Sequence, residues 1–138
     1  IAQKSQPFGV VMIDLDDFKS INDSCGHPFG DMVLTETVRL IEKNISKKDI
    51  LARYGGEELV LFIDDPLSKG ALFEKVNIIR HKISNNELNY RGRTKTVTAS
   101  FGISLYPEDG CTVEELLFVA DGNLYKAKEM GKNSVVLV

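Results

Sequence analysis

The chain has 138 residues, 43% hydrophobic and 27% charged, which is the length and balance of one globular domain able to bury its own core. Seventeen Lys and Arg against twenty Asp and Glu leave a formal charge of −3, which argues against a domain that coats nucleic acid. No apolar run approaches the roughly 20 residues that cross a bilayer, so no direct membrane contact is expected, and the absence of repeats and low-complexity tracts argues against disorder, collagen and coiled coil.

Cys25 and Cys111 are far apart and lack metal-ligand spacing, so they read as reduced thiols of a cytoplasmic protein rather than as a disulfide scaffold. The chain begins at Ile1 with no signal-peptide pattern and is expected to be a single domain, 1–138, cut from something longer.

Phe8–Leu15 (FGVVMIDL) is almost continuously apolar, as a central strand covered on both faces requires. The polar stretch DDFKSINDSCGH that follows reads as a loop, and Pro28 sits where a helix can start. Leu34, Val38, Ile41 and Ile45 follow at helical spacing. Ile50–Tyr54 and Glu58–Ile63 are strand-like and flank Gly55-Gly56, the signal of a tight hairpin. Asp64–Gly70 reads as a loop, and Leu72, Val76, Ile79 and Ile83 predict a second helix. Asn85–Arg93 is polar and reads as a surface loop or hairpin tip. Val97, Ala99, Phe101, Ile103 and Leu105 alternate with smaller or polar residues, predicting a strand with one buried face. Val113, Leu117, Ala120, Leu124 and Ala127 predict a third helix closed by Gly131, and Val135–Val138 a last strand.

The order β-α-β-β-α-β-α-β predicts an α/β (α+β sandwich) domain: a ferredoxin-like split βαβ fold, with a mostly antiparallel central sheet flanked by helices. In that plan the Gly55-Gly56 turn and the exit of the first strand share one end of the sheet. Asp14 and Glu57 should then face each other.

Carboxylates gathered at a sheet edge without His or Cys suit a hard cation, Mg²⁺ or Mn²⁺, which is held by one or two of them and completed by water and phosphate oxygens. The competing reading is solvated strand ends. It is weakened at Asp14, because an ionised group ending so apolar a strand needs a partner. The segment Asp16–Gly30 joins a strand to a helix, where backbone N–H groups hold anions, and it carries Lys19. It contains neither GxGxxG nor a P-loop pattern. Lys128 and Lys132 either complement the end of the third helix or bind triphosphate oxygens.

Together, DLDDFKSINDSCGHPFGD (Asp14–Asp31), ARYGGEEL (Ala52–Leu59), SFGIS (Ser100–Ser104) and LYKAKEMGKN (Leu124–Asn133) resemble the GGDEF family of diguanylate cyclases. The four motifs occur in the family's order, and the resemblance extends over nearly the whole chain. It implies a class III cyclase-related fold, and condensation of two GTP into cyclic di-GMP with release of pyrophosphate. It further implies that Asp14, the Leu15 carbonyl and Glu57 hold the metal, while Glu58 or the metal alone deprotonates the 3′-hydroxyl. Asn22 and Asp31 would read guanine, whose N1–H and 2-amino donors match a carboxylate and are absent from adenine. His27 lies in the same substrate segment, or serves structure only. The N–H groups of Asp17 and Phe18, with Lys19, Lys128 and Lys132, would hold phosphates, and Gly55 and Gly56 would keep side chains off the nucleotide. Each domain holds one GTP, so a homodimer, transient or stable, is implied, as is an upstream sensory or regulatory domain. The alternatives are a silent GTP-binding regulatory module and a transferase acting on another nucleotide such as ATP, which Asp31 argues against.

Three departures stand out. Leu59 replaces the usual Phe and should serve as strand core, and Glu57 replaces the signature Asp while keeping its carboxylate. The family's RxxD product site reads Ser46-Lys47-Lys48-Asp49 here, so an Arg contact is missing, and product inhibition should be weak or absent unless Lys47 or Lys48 substitutes poorly for it.

Overall fold

The computed structural model describes residues 6–138, so residues 1–5 of the expected domain lie outside them. In chain order the elements are β1 (Phe8–Leu15), α1 (Phe18–Cys25), α2 (His27–Glu42), β2 (Ile50–Gly55), β3 (Glu58–Asp64), α3 (Lys69–Ser84), β4 (Leu88–Tyr90), β5 (Arg93–Lys95), β6 (Ala99–Tyr106), α4 (Val113–Glu129) and β7 (Val135–Leu137). The main sheet has the order β2-β3-β1-β6-β7. β1 runs antiparallel to both β3 and β6, β2 antiparallel to β3, and β7 parallel to β6. β1 and β2 are therefore parallel with β3 between them, as the split βαβ plan requires.

Alternation along β1 builds two cores. Val11, Ile13 and Leu15 join Phe29, Val33 and Ile41 of α2 and Leu72, Val76, Ile79 and Ile83 of α3. Val10 and Met12 point to the other face and pack with Val60 and with Leu116, Ala120 and Leu124 of α4. Leu59 is 1% exposed in the first core, so the departure from Phe is absorbed as an ordinary buried strand residue. Burial on that scale stabilises by about 1.5–3 kcal/mol per large apolar side chain.

The helix ends follow their chemistry. Ser68 caps α3 by accepting the Ala71 N–H, and Thr112 with Glu115 forms a reciprocal capping box on α4. The box puts Val113 at the first helical position, where it is 48% exposed, and Leu116 fills the core in its place. Ile45 lies beyond the end of α2 but still packs against the core.

Two expectations are corrected. The polar stretch after β1 is a helix, α1, rather than a loop: Phe18, Ile21 and Cys25 recur at helical spacing and pack against the first core, too sparsely to stand out among polar neighbours. β6 is buried on both faces. Ser100 and Ser104 are fully buried, and Ser104 Oγ donates to the Leu116 carbonyl at 2.7 Å. A Cβ at Gly102 would stand 2.1 Å from the Ala120 oxygen and 2.1 Å from the Leu124 nitrogen. Small residues on that face are what let α4 lie directly on the strand.

The Asn85–Arg93 segment holds β4 and the turn of the β4–β5 hairpin, which continues to Lys95; the turn is at Arg91 (φ 51°) and Gly92 (φ 78°), both left-handed as a two-residue hairpin turn prefers. Asp49 is turned inward. Its carboxylate accepts the Ser46 N–H (2.9 Å), the Asp64 N–H (2.9 Å) and the Lys75 ammonium (3.0 Å), and its side chain is 1% exposed.

Candidate active site

Asp14 pairs directly with Glu58 in the β1–β3 register, one residue from Glu57 and beside the Gly55-Gly56 turn. Two acids opposite each other on one face of an antiparallel pair repel, so the arrangement favours a cation between or beside them. The turn is exposed, Gly56 adopts φ 46°, and space around both glycines is open. Arg53 braces it by donating to the Gly56 carbonyl from Nε (3.0 Å) and Nη2 (2.7 Å).

Burial, with the nearby Glu57 and Glu58 charges, pushes Asp14 up to about 6 against the opposing pull of Lys128. Its Oδ1 is buried without a hydrogen-bond partner. Burial also raises Glu58, helped by the charges of Asp121 on α4 and of Glu57. Among the described residues no group of three or more His, Cys, Asp and Glu forms a ready cation cage. The donor set is instead an orphaned carboxylate oxygen, neighbouring acids and the Leu15 carbonyl. All are hard oxygens, which fits Mg²⁺ or Mn²⁺ with water and phosphate completing the shell.

Lys128 comes from the last turn of α4. Its Nζ lies 2.8 Å from Asp16 Oδ1, 3.4 Å from the Leu15 carbonyl, 3.5 Å from the Asp14 carbonyl and 3.5 Å from Asp14 Oδ2. Asp16 is 3% exposed and accepts three further hydrogen bonds, from Thr98 Oγ1 (2.6 Å), Ser100 Oγ (2.7 Å) and the Asn133 N–H (2.9 Å). Burial alone would raise its pKa, but these donors outweigh burial and hold the carboxyl below the ordinary range. Asp16 thus joins the end of β1 to β6, α4 and the turn before β7.

Lys132 Nζ meets Asp17 Oδ1 at 2.6 Å, at the solvent-facing rim. Asp17 sits at the N-cap of α1 in the left-handed region (φ 56°), and no side chain caps that terminus. The first-turn N–H groups, Phe18 included, are therefore open to an anion, with Lys19 exposed beside them.

Asn22 is on α1, and Asp31 is in the second turn of α2. Gly30 joins their positions: a Cβ there would lie 1.8 Å from Asn22 Oδ1, an atom that is buried and unpartnered. Asp31 is exposed, as is His27 at the start of α2.

Asp14, Leu15, Glu57, Glu58 and Lys128 are thus gathered at one end of the sheet, with Asp17, Phe18, Lys19 and Lys132 along its rim. Asn22, His27 and Asp31 belong to the adjoining α1–α2 pair. Sequence reasoning did not single out Asp16, Arg53 or Asp121. The signal for Asp16 was the DLDD run itself, where a second acid two residues beyond Asp14 shares its strand parity. Its partners are 82 to 117 residues away, beyond the reach of local pattern.

Residues 1–134 match the family model described as diguanylate cyclase, GGDEF domain. The chain is 40% identical over 131 residues to the bifunctional diguanylate cyclase/cyclic di-GMP phosphodiesterase MucR of Pseudomonas aeruginosa, covering 91% of this chain and 18% of that protein. It is 36% identical over 135 residues to diguanylate cyclase A of Treponema denticola, covering 98% of this chain and 36% of that protein. The chain therefore spans about a third or less of the length of these curated relatives. A solved structure of the isolated GGDEF domain of TpbB (YfiN) from Pseudomonas aeruginosa superimposes with a TM-score of 0.92 at 32% identity, over 96% of this chain and 77% of that one. With its fold, its glycine-turn signature and its sequence all in agreement, the chain belongs to the GGDEF family of diguanylate cyclases.

Proposed function

We propose that this domain is catalytically competent, joining two GTP into cyclic di-GMP and releasing two pyrophosphates. The observation that carries the reading is the pairing of Asp14 with Glu58 beside the glycine turn, with a buried Asp14 oxygen lacking a partner. Asp14, the Leu15 carbonyl and Glu57 would hold Mg²⁺ or Mn²⁺. Bound there, the ion would neutralise charge on the triphosphate and ease ionisation of the 3′-hydroxyl.

The remaining work falls to the chain. Lys128, Lys132, Lys19 and the N–H groups of Asp17 and Phe18 bind phosphate oxygens and spread the charge that builds on the leaving pyrophosphate. Asn22 and Asp31 orient guanine. Each ribose 3′-oxygen forms a bond to the α-phosphorus of the other GTP as the bond to its β-phosphate oxygen breaks. Glu58, whose pKa is raised, is suited to take the hydroxyl proton. One site holds one GTP, so two domains must meet face to face as a C2 pair, and proximity supplies much of the acceleration. In the longer protein a regulatory domain would control that meeting, in the cytoplasm.

The test is incubation with GTP and Mg²⁺, with the domain fused to a dimerising coiled coil so that weak self-association does not limit the rate. Chromatography should resolve cyclic di-GMP and pyrophosphate. GTP binding without product in that dimeric protein would refute catalysis and favour the silent regulatory module.

A further inference from the structure

The ammonium of Lys128 stands against the Asp14 carboxylate and the Leu15 carbonyl, the groups read above as metal ligands. It is within 3.4–3.5 Å of Asp14 Oδ2 and the Leu15 carbonyl, and it is pinned at 2.8 Å by buried Asp16. A metal bound at about 2.1 Å to the Leu15 carbonyl, with the orphaned Asp14 Oδ1 as a further ligand, would lie less than about 6 Å from Nζ, which touches the same carbonyl and the same carboxylate. Two cations that share one carbonyl and one carboxylate in a half-buried site repel strongly, because little water screens them. The Lys128 side chain is 22% exposed and lies in the last turn of α4, so its long stem can swing its head toward the mouth of the site without unfolding the helix.

From this geometry we propose that Lys128 is a resident counter-ion of the acidic site, held by Asp16 as its positioning residue. Metal and ammonium compete for Asp14 and Leu15 until a triphosphate draws the ammonium away. The inference rests on the reading of Asp14 and Leu15 as metal ligands. It adds that the nucleotide-free domain binds divalent ions weakly by construction, and that nucleotide and metal bind cooperatively through the movement of one side chain. Reciprocity follows, since whatever factor the nucleotide adds to metal affinity, the metal adds to nucleotide affinity. Asp16 spends its other hydrogen bonds on Thr98, Ser100 and the Asn133 N–H, which fix its position while Lys128 moves.

The experiment is Mn²⁺ binding to the full chain, read by electron paramagnetic resonance of free Mn²⁺, with and without α,β-methylene GTP, which blocks turnover. Lys128→Met should bind Mn²⁺ at least fivefold more tightly than wild type without nucleotide, and the gain on adding the analogue should shrink by a similar factor. Lys128→Gln, which removes the charge but keeps a donor for Asp16, should behave the same way and carries the test if the Met variant is unfolded by circular dichroism. Asp14→Asn should abolish the tight site in every background. A lysine of merely structural value would leave Mn²⁺ affinity unchanged or weaken it, and either result in a folded variant overturns the proposal. Tightened binding in a domain that makes no cyclic di-GMP would sustain this inference while the cyclase reading failed. Unchanged binding in an active cyclase would do the reverse.

Discussion

Replacing Asp14 with Asn should stabilise the metal-free domain while abolishing its activity. The carboxyl has a folded pKa of about 6 against an ordinary 3.8, chiefly because burial penalises its charged form. Below 3.8 both folded and unfolded chains carry the proton, and the group contributes nothing. As pH rises, the unfolded chain ionises first. The folded state therefore loses stability progressively and bears the full cost above pH 6. At 1.36 kcal/mol for each tenfold change in proton affinity, that cost is about 1.5 kcal/mol at pH 5 and about 3 kcal/mol at pH 8. Partial solvent access, with the side chain 18% exposed, brings both figures down somewhat. Urea unfolding in EDTA, followed by far-UV circular dichroism, should find Asp14→Asn more stable than wild type, by an increment that grows about 1 kcal/mol between pH 5 and pH 8. Millimolar Mg²⁺ should stabilise wild type selectively and narrow the gap, because only wild type offers the ligand. A variant less stable than wild type at pH 8 without metal would show that Asp14 is already well compensated by Lys128, and the argument that this site is built for a further cation would fail.

Asp31→Ala should relax the choice of base, measured as the ratio of GTP to ATP turnover or binding, and a ratio equal to wild type would remove Asp31 from guanine recognition. Added cyclic di-GMP should inhibit turnover weakly or not at all through the Asp49 region, since that carboxylate is already occupied by Ser46, Asp64 and Lys75; strong inhibition with product bound beside Asp49 would contradict this. Asp49→Ala should cost about 2–4 kcal/mol in chemical denaturation, because it strands two backbone donors and a lysine. Gly102→Ala should cost about 3 kcal/mol or more, or prevent soluble expression, since its methyl would collide with the α4 backbone and neither side can yield cheaply; a variant of wild-type stability would mean that α4 does not sit so close.

Much of the molecule was legible in the residues. Unbroken apolarity marked β1 as central, helical spacing marked α2, α3 and α4, and the glycine pair marked the β2–β3 turn. The split βαβ order then implied that Asp14 and Glu57 face each other at one end of the sheet; the register sets Glu58 directly opposite Asp14, with Glu57 one residue away. These features are local, or follow from strand order by a topological rule, so a one-dimensional pattern can carry them.

What the pattern could not carry was decided in three dimensions. α1 is too short and too polar to announce itself, and it forms because Phe18, Ile21 and Cys25 find the core. The second buried face of β6 exists because α4 crosses it, and alternation of large and small residues reads equally well as half-exposed. Asp49 matches a ligand-binding motif by letter, yet its oxygens are taken up by the Ser46 N–H, the last residue of β3 and a lysine on α3. Asp16 reads as one more acid in an acidic run, and only the fold, by bringing Thr98, Ser100, Lys128 and Asn133 around it, makes it the buried anchor of the site. Charge and spacing belong to the chain, but desolvation and partnership depend on which distant segments arrive at the same place.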